Sequence, residues 1–217
     1  MTTFISRRQL LKSAAMVPVG RVLWTRQDAG PAEAGHSVQA AASAPQTLTA
    51  RELELLNAMA ARLIPNDATG PGAVEAGATH YIDRALAGAL SASRPAYASG
   101  LAALDRYAKS SRGKPFTDLT PVDQDSVLID VELGAATGFT GSSAQFFAMV
   151  LGHTHQGMFG DPFYGGNKNF AGWDLINYPG VRTMVTAADQ THLESKELKP
   201  NHKSAYDYDS FTKAHDH

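Results

Sequence analysis

A chain of 217 residues with 43% hydrophobic and 18% charged side chains has the composition of an ordinary globular protein, long enough to bury one core. It holds 19 basic and 21 acidic residues; residues 1–44 take five of the basic and two of the acidic, so the remainder carries 14 against 19, a balance that argues against nucleic-acid binding. There is no cysteine, which excludes disulfides, cysteine-ligated zinc, iron–sulfur clusters and haem attached through CxxCH in this chain.

The N-terminus reads Ser6-Arg7-Arg8-Gln9-Leu10-Leu11-Lys12, followed by a mildly apolar run over 14–20 and then small-residue stretches. It resembles a twin-arginine translocation signal, with Arg7 and Arg8 as the pair, leucine two residues later and Lys12 closing the motif. The stretch VQAAASA at 38–44 suits a signal peptidase, so we expect a leader over 1–44, a helical domain over 45–182 and a polar tail over 183–217. The twin-arginine route exports folded proteins, usually because a cofactor is inserted beforehand. Yet no GxGxxG, GxxxxGK[ST] or cysteine cluster is present, and no apolar run approaches the eighteen or so residues of a membrane span. The expectation is a periplasmic chain that escorts a cofactor-bearing partner.

Thr49-Ala50-Arg51-Glu52 is a capping box, and Leu53, Leu56, Ala60, Leu63 and Ile64 follow at helical spacing, which predicts a helix over 50–64. Gly70-Pro71-Gly72 opens a second segment with Val74, Ala78, Tyr81, Ile82, Ala85 and Leu90 on one face. A third helix over 95–111 carries Tyr97, Leu101, Leu104 and Tyr107 as a stripe. Thr120-Pro121-Val122-Asp123 predicts a fourth start, running to Leu133 before Gly134. The fifth begins at Ser142 or Ser143, packs Phe146, Phe147, Val150, Leu151 and Thr154 inward, and is expected to end at Gly157. Strand alternation is missing, so the fold class is all-α, a single domain of about five helices.

The stretch HTHQGMFGDPFYGGNKNFAGWDLINYPG at 153–180 breaks this pattern, with six glycines and six aromatics and almost no periodicity. Glycines permit positive φ and close backbone approach, and aromatic rings offer rigid faces at low entropic cost. Such a stretch is suited to anchoring a protein interface, or to folding back on the helices as a satellite core. Beyond it the chain turns polar, with His192, Lys196, Lys199, His202 and the end KAHDH. That tail has too few apolar residues to bury itself alone, and we expect it to be disordered or laid along a partner.

The loop's HTxxGxFGDPxYGGN and GWxLIxYPG elements resemble the signature of the gluconate 2-dehydrogenase subunit 3 family, the small subunits of membrane-associated flavin-dependent sugar and polyol dehydrogenases. The matching positions include His153, Thr154, Gly157, Phe159, Gly160, Asp161, Pro162, Tyr164, Gly165, Gly166, Asn167, Gly172, Trp173 and the run from Tyr178 to Gly180. The sequence departs at Met158, where an aromatic is common, and at Asn177, where a glycine is usual. The resemblance implies a non-catalytic subunit with no cofactor of its own. Its partners would be a large FAD-containing dehydrogenase subunit and, in many such complexes, a multihaem cytochrome c carrying haem c. Loop residues expected at the partner interface are His153, Phe159, Asp161, Tyr164, Asn167, Trp173 and Tyr178.

Other readings stay open on the same residues. His153 and His155 could join Asp161 or His80 around a metal if the chain unwinds at Gly152; on a continuing helix i and i+2 point apart. His153 and Asp161 could serve as an acid–base pair in a freestanding enzyme, although aspartate before proline is a common turn former. Trp173 and Tyr178 could be stacking platforms of a carbohydrate-binding module.

Overall fold

A computed structural model describes residues 45–212; the expected leader with Arg7 and Arg8, and the last five residues, lie outside the described residues. Eight α-helices and no β-strand occur among the described residues. Five are α1 (Ala50–Leu63), α2 (Ala78–Ala85), α3 (Arg94–Arg112), α4 (Pro121–Glu132) and α5 (Ser143–Phe159). Three short ones follow: α6 (Ala171–Leu175), α7 (Ala187–Glu194) and α8 (Asp209–Thr212). The all-α expectation is met; of the surplus over five helices, α6 and α8 are about one turn each, and α7, eight residues long, has no buried face to mark it.

The start signals act as read. Glu52 N–H donates to Thr49 Oγ1 at 3.2 Å and Thr49 N–H to Glu52 Oε2 at 2.7 Å, closing the capping box of α1. Thr120 accepts from Asp123 N–H ahead of Pro121, and Ser142 from Gln145 N–H ahead of α5. Immediately before α1, a carboxylate from α2 holds the incoming chain. Asp83, 2% exposed, accepts from the backbone N–H groups of Gln46 (2.6 Å), Thr47 (3.0 Å) and Leu48 (2.8 Å). Arg94 adds a bond to the Thr47 carbonyl and a two-pronged pair with Glu52.

Two boundaries differ from expectation. The second helix begins at Ala78 and not near Gly72, because residues 73–77 close turns of their own: Ala73 N–H donates back to the Ile64 carbonyl and Gly77 takes φ 78. Their alanines Ala73 and Ala76, with Ala78 of α2, join Ala60 and Met158 in a small second core. The fifth helix also passes through Gly157 to Phe159. There the glycine is a packing site: a Cβ at 157 would lie 2.8 Å from the Ala78 Cα, so its absence lets α5 press directly on the first turn of α2. The main core lies between α1, α3, α4 and α5 around Leu56, Met59, Leu101, Leu104, Phe116, Val127, Val131 and Val150, with Ile82 and Leu86 reaching in from the α2 side.

Asp105 of α3, 9% exposed, binds Lys109, Arg51 of α1 and the Phe116 N–H together. Burial raises its pKa, but Lys109, the Phe116 amide and Arg51 outweigh that and hold it below the ordinary 3.8. A depressed folded value contributes stability that is present above the unfolded pKa and lost as pH falls through the folded one. The thermal midpoint should therefore drop as pH is taken below 3.8, and less steeply in Asp105→Asn, which a pH series of melting curves would read.

Candidate functional site: a locked loop with an apolar rim

The loop over 157–180 is built from the inside outward. At its centre Asn167 is fully buried, with φ 45 in the left-handed region that asparagine tolerates better than most residues. Its N–H donates to the Gly157 carbonyl at 2.7 Å and its side-chain amide to the Gly160 carbonyl at 2.9 Å. Its side-chain oxygen accepts from Gly172 N–H at 2.8 Å and, more weakly, from Trp173 N–H at 3.4 Å. One side chain thus ties the end of α5 to the start of α6. Trp173, 4% exposed, adds an indole bond to the Phe159 carbonyl at 2.8 Å, and Lys168 N–H donates to the Ala76 carbonyl.

Such crossings need backbone without side chains. A Cβ on Gly172 would run into the Met158 carbonyl, so only glycine fits. The conformation is costly elsewhere too: Asn169 has φ 54 and Phe170 φ 61, a strained value for an aromatic residue. Asn177, standing where a glycine is usual, has φ 53, and asparagine is the residue after glycine that accepts that geometry most readily.

The loop's exposed apolar side chains, its rim, are Phe163, Tyr164, Ile176 and Tyr178; Met184 and Val185, also exposed, follow it in sequence. Phe163 and Tyr164 remain 55% and 51% exposed although the C-terminal tail reaches them. The Tyr206 ring stacks on Phe163 with centroids 3.6 Å apart, and its hydroxyl lies 2.7 Å from that of Tyr164. Asp161 caps the Pro162–Tyr164 turn through Phe163 N–H, and also accepts from Ser204 Oγ at 2.6 Å and Ala205 N–H at 3.0 Å. His202 stacks on Phe170 and bonds to Asp174 at 2.6 Å. Residues 201–208 of the tail therefore lie along the loop of their own chain. Ser204-Ala205-Tyr206-Asp207 is itself a capping box, a signal the sequence carries.

The expected interface residues separate by depth. Asn167 and Trp173 are buried and hold the loop's shape, so neither offers a face to a partner as the loop stands. His153 is half-buried on α5, stacked on the buried Tyr97 with Nδ1 3.1 Å from its hydroxyl. Burial pushes the imidazole pKa below its ordinary value and the phenol up, so the pair is neutral at neutral pH. Phe159 is half-buried against the second core, Asp161 is occupied by the tail, and Tyr164 and Tyr178 are exposed.

The chemical alternatives find little geometry. His153 and His155 stay on one continuous helix, and no group of three or more His, Asp or Glu side chains that could hold a metal forms among the described residues. His153 is bound to Tyr97 and Asp161 to the tail and its own turn, which leaves no acid–base pair. Trp173 is covered, leaving Tyr178, whose ring meets it edge-on at 4.7 Å, without the partner platform a sugar would need.

Searches of curated proteins and of solved structures each gave no match. A model of the family described as gluconate 2-dehydrogenase subunit 3 matches residues 50–180, from the first residue of α1 to the glycine that closes the loop. A match over more than half of the chain, ending on the locked loop, settles the affiliation: the chain belongs to the gluconate 2-dehydrogenase subunit 3 family.

Proposed function

We propose that the chain is the non-catalytic small subunit of an FAD-dependent dehydrogenase acting on gluconate, a sugar or a polyol. In this reading it supports the folding, stability and twin-arginine export of the flavoprotein subunit. FAD belongs to that large subunit, and a multihaem cytochrome c carries electrons onward at the cytoplasmic membrane.

The observation that carries the reading is the contrast within the loop. A base fixed by Asn167 and Trp173 carries the exposed apolar side chains Phe163, Tyr164, Ile176 and Tyr178, with Met184 and Val185 exposed just beyond it in sequence, on a chain that belongs to a dehydrogenase subunit family. Rigid aromatic and aliphatic groups on a fixed frame are what a protein partner buries at the centre of an interface. The twin-arginine-like Arg7-Arg8 pair supplies the export half of the argument.

The test is a tagged pull-down of the full-length chain from solubilised membranes of the native host, read by flavin absorbance and by dye reduction with gluconate, sugars and polyols. Recovery of a flavoprotein with such activity is expected, as is its retention in the cytoplasm when Arg7 and Arg8 are both changed to Lys. A chain that comes down alone and colourless, with the flavoprotein exported regardless, would refute the reading.

A further inference from the structure

We propose that residues 201–208 form a displaceable strap, which covers the aromatic rim of the loop in the free chain and is displaced when the flavoprotein subunit docks there. The proposal rests on the small-subunit reading above and adds a regulatory contact to it.

Three features carry it. The strap lies on the rim and beside it: Tyr206 stacks on Phe163 and bonds to Tyr164, and His202 stacks on the half-buried Phe170. Its hold is shallow, because Ser204 is the single buried residue after Gly180 among the described residues. It is fastened by Ser204 and Ala205 on Asp161, by His202 on Asp174, and by polar contacts of Asn201, Lys203 and Tyr208 with residues 179–181. Such part-exposed hydrogen bonds contribute little each and reform readily with water.

The loop's own lock is separate. The side-chain hydrogen bonds of Asn167 and Trp173 all go to residues of 157–173 and none to the strap, so the base keeps its shape when the strap leaves. The strap also lies beyond residue 180, where the family match ends, so it is an addition to the matched domain. A covering with a single fully buried residue, laid over aromatic side chains that stay half-exposed beneath it, suits a shield that yields to a larger apolar surface. A permanent part of the core would be buried on both sides.

The test compares three forms of the full chain in the pull-down from host membranes, with flavin absorbance per mole of tagged chain as readout. Ser204→Ala with Tyr206→Ala releases the strap. Asp174→Cys with His202→Cys, joined by a short cleavable bis-maleimide, locks it down; the chain has no cysteine, so the linkage is unique, and neither position is on the apolar rim. With Trp24 changed to Phe in all three, Trp173 emission verifies that the loop base is intact in each.

We expect several-fold more flavin on the released form than on the native chain, and several-fold less on the locked form until the linker is cleaved. Less flavin on the released form with unchanged Trp173 emission would make the strap part of the docking surface and overturn the proposal. Equal capture by all three would overturn it as well. No flavin on any of the three is a different result: it would strike down the small-subunit reading, and the strap's proposed role with it.

Discussion

In Asp83→Ala, the thermal midpoint should fall by roughly 6–12 °C, and a protease should gain a site between Pro45 and Thr49. The carboxylate is 2% exposed and accepts from three successive backbone N–H groups, an arrangement with the strength of charge-assisted bonds. Removing it leaves the buried Leu48 N–H, and the part-buried ones of Gln46 and Thr47, without their acceptor. The chain can avoid that penalty by peeling residues 45–49 into solvent, which withdraws the buried Leu48 and the Thr49 cap. The cost is then that of releasing the segment, about 3 kcal/mol. Thr49→Ala, which removes the cap alone, should cost about 1 kcal/mol and leave the protease pattern unchanged. An Asp83→Ala midpoint within about 2 °C of the native chain would show that the segment is held by something else.

The second large effect is expected at Asn167. Asn167→Ala strips the Gly160 carbonyl and the Gly172 N–H of partners and forces alanine into φ 45, together a local cost of about 3–5 kcal/mol. Because the loop base packs with the small Ala60–Met158 cluster and not with the main core, the loss should open the loop before the helices. With Trp24 replaced by Phe, so that Trp173 is the only reporter, its emission should shift to the red while helical circular dichroism persists. Asn167→Gly, which relieves the backbone but restores no hydrogen bond, should recover about 1 kcal/mol. A cooperative loss of both signals would instead make the loop part of one folding unit with the bundle.

The sequence disclosed the parts of this fold that are governed by neighbours along the chain. Thr49 with Glu52, Thr120 with Pro121, and the stripes on α1, α3 and α5 carry their instructions within four residues, and each helix starts within a residue or two of where they point. Glycine misled where its reason is distant. Gly157 reads as a helix stop, yet it is kept free of a side chain by Ala78, far away in sequence, and Gly70-Pro71-Gly72 reads as a start although the turns of 73–77 close first. Aromatic and amide residues were identified as a group in the loop but not by depth. Nothing in their spacing says that Asn167 and Trp173 face inward while Phe163 and Tyr164 face out, because that division depends on bonds to Gly160, Phe159 and Gly172. The tail's return to the loop was hidden for the opposite reason: its few apolar residues give no amphipathic signal, and Ser204 and Tyr206 find partners some forty residues back.

The exclusion of side chains at Gly157 and Gly172 has a consequence for re-addressing the subunit to another enzyme. A base that admits no variation in side chain cannot encode a choice between partners; it can only hold a platform still. On the small-subunit reading, the address is then written in the rim, and chiefly where the loop signature leaves positions open, as at Phe163, or beyond its end, as at Met184 and Val185. Grafting those few side chains between relatives, with every glycine and Asn167 left in place, would transplant the address without rebuilding the platform that displays it.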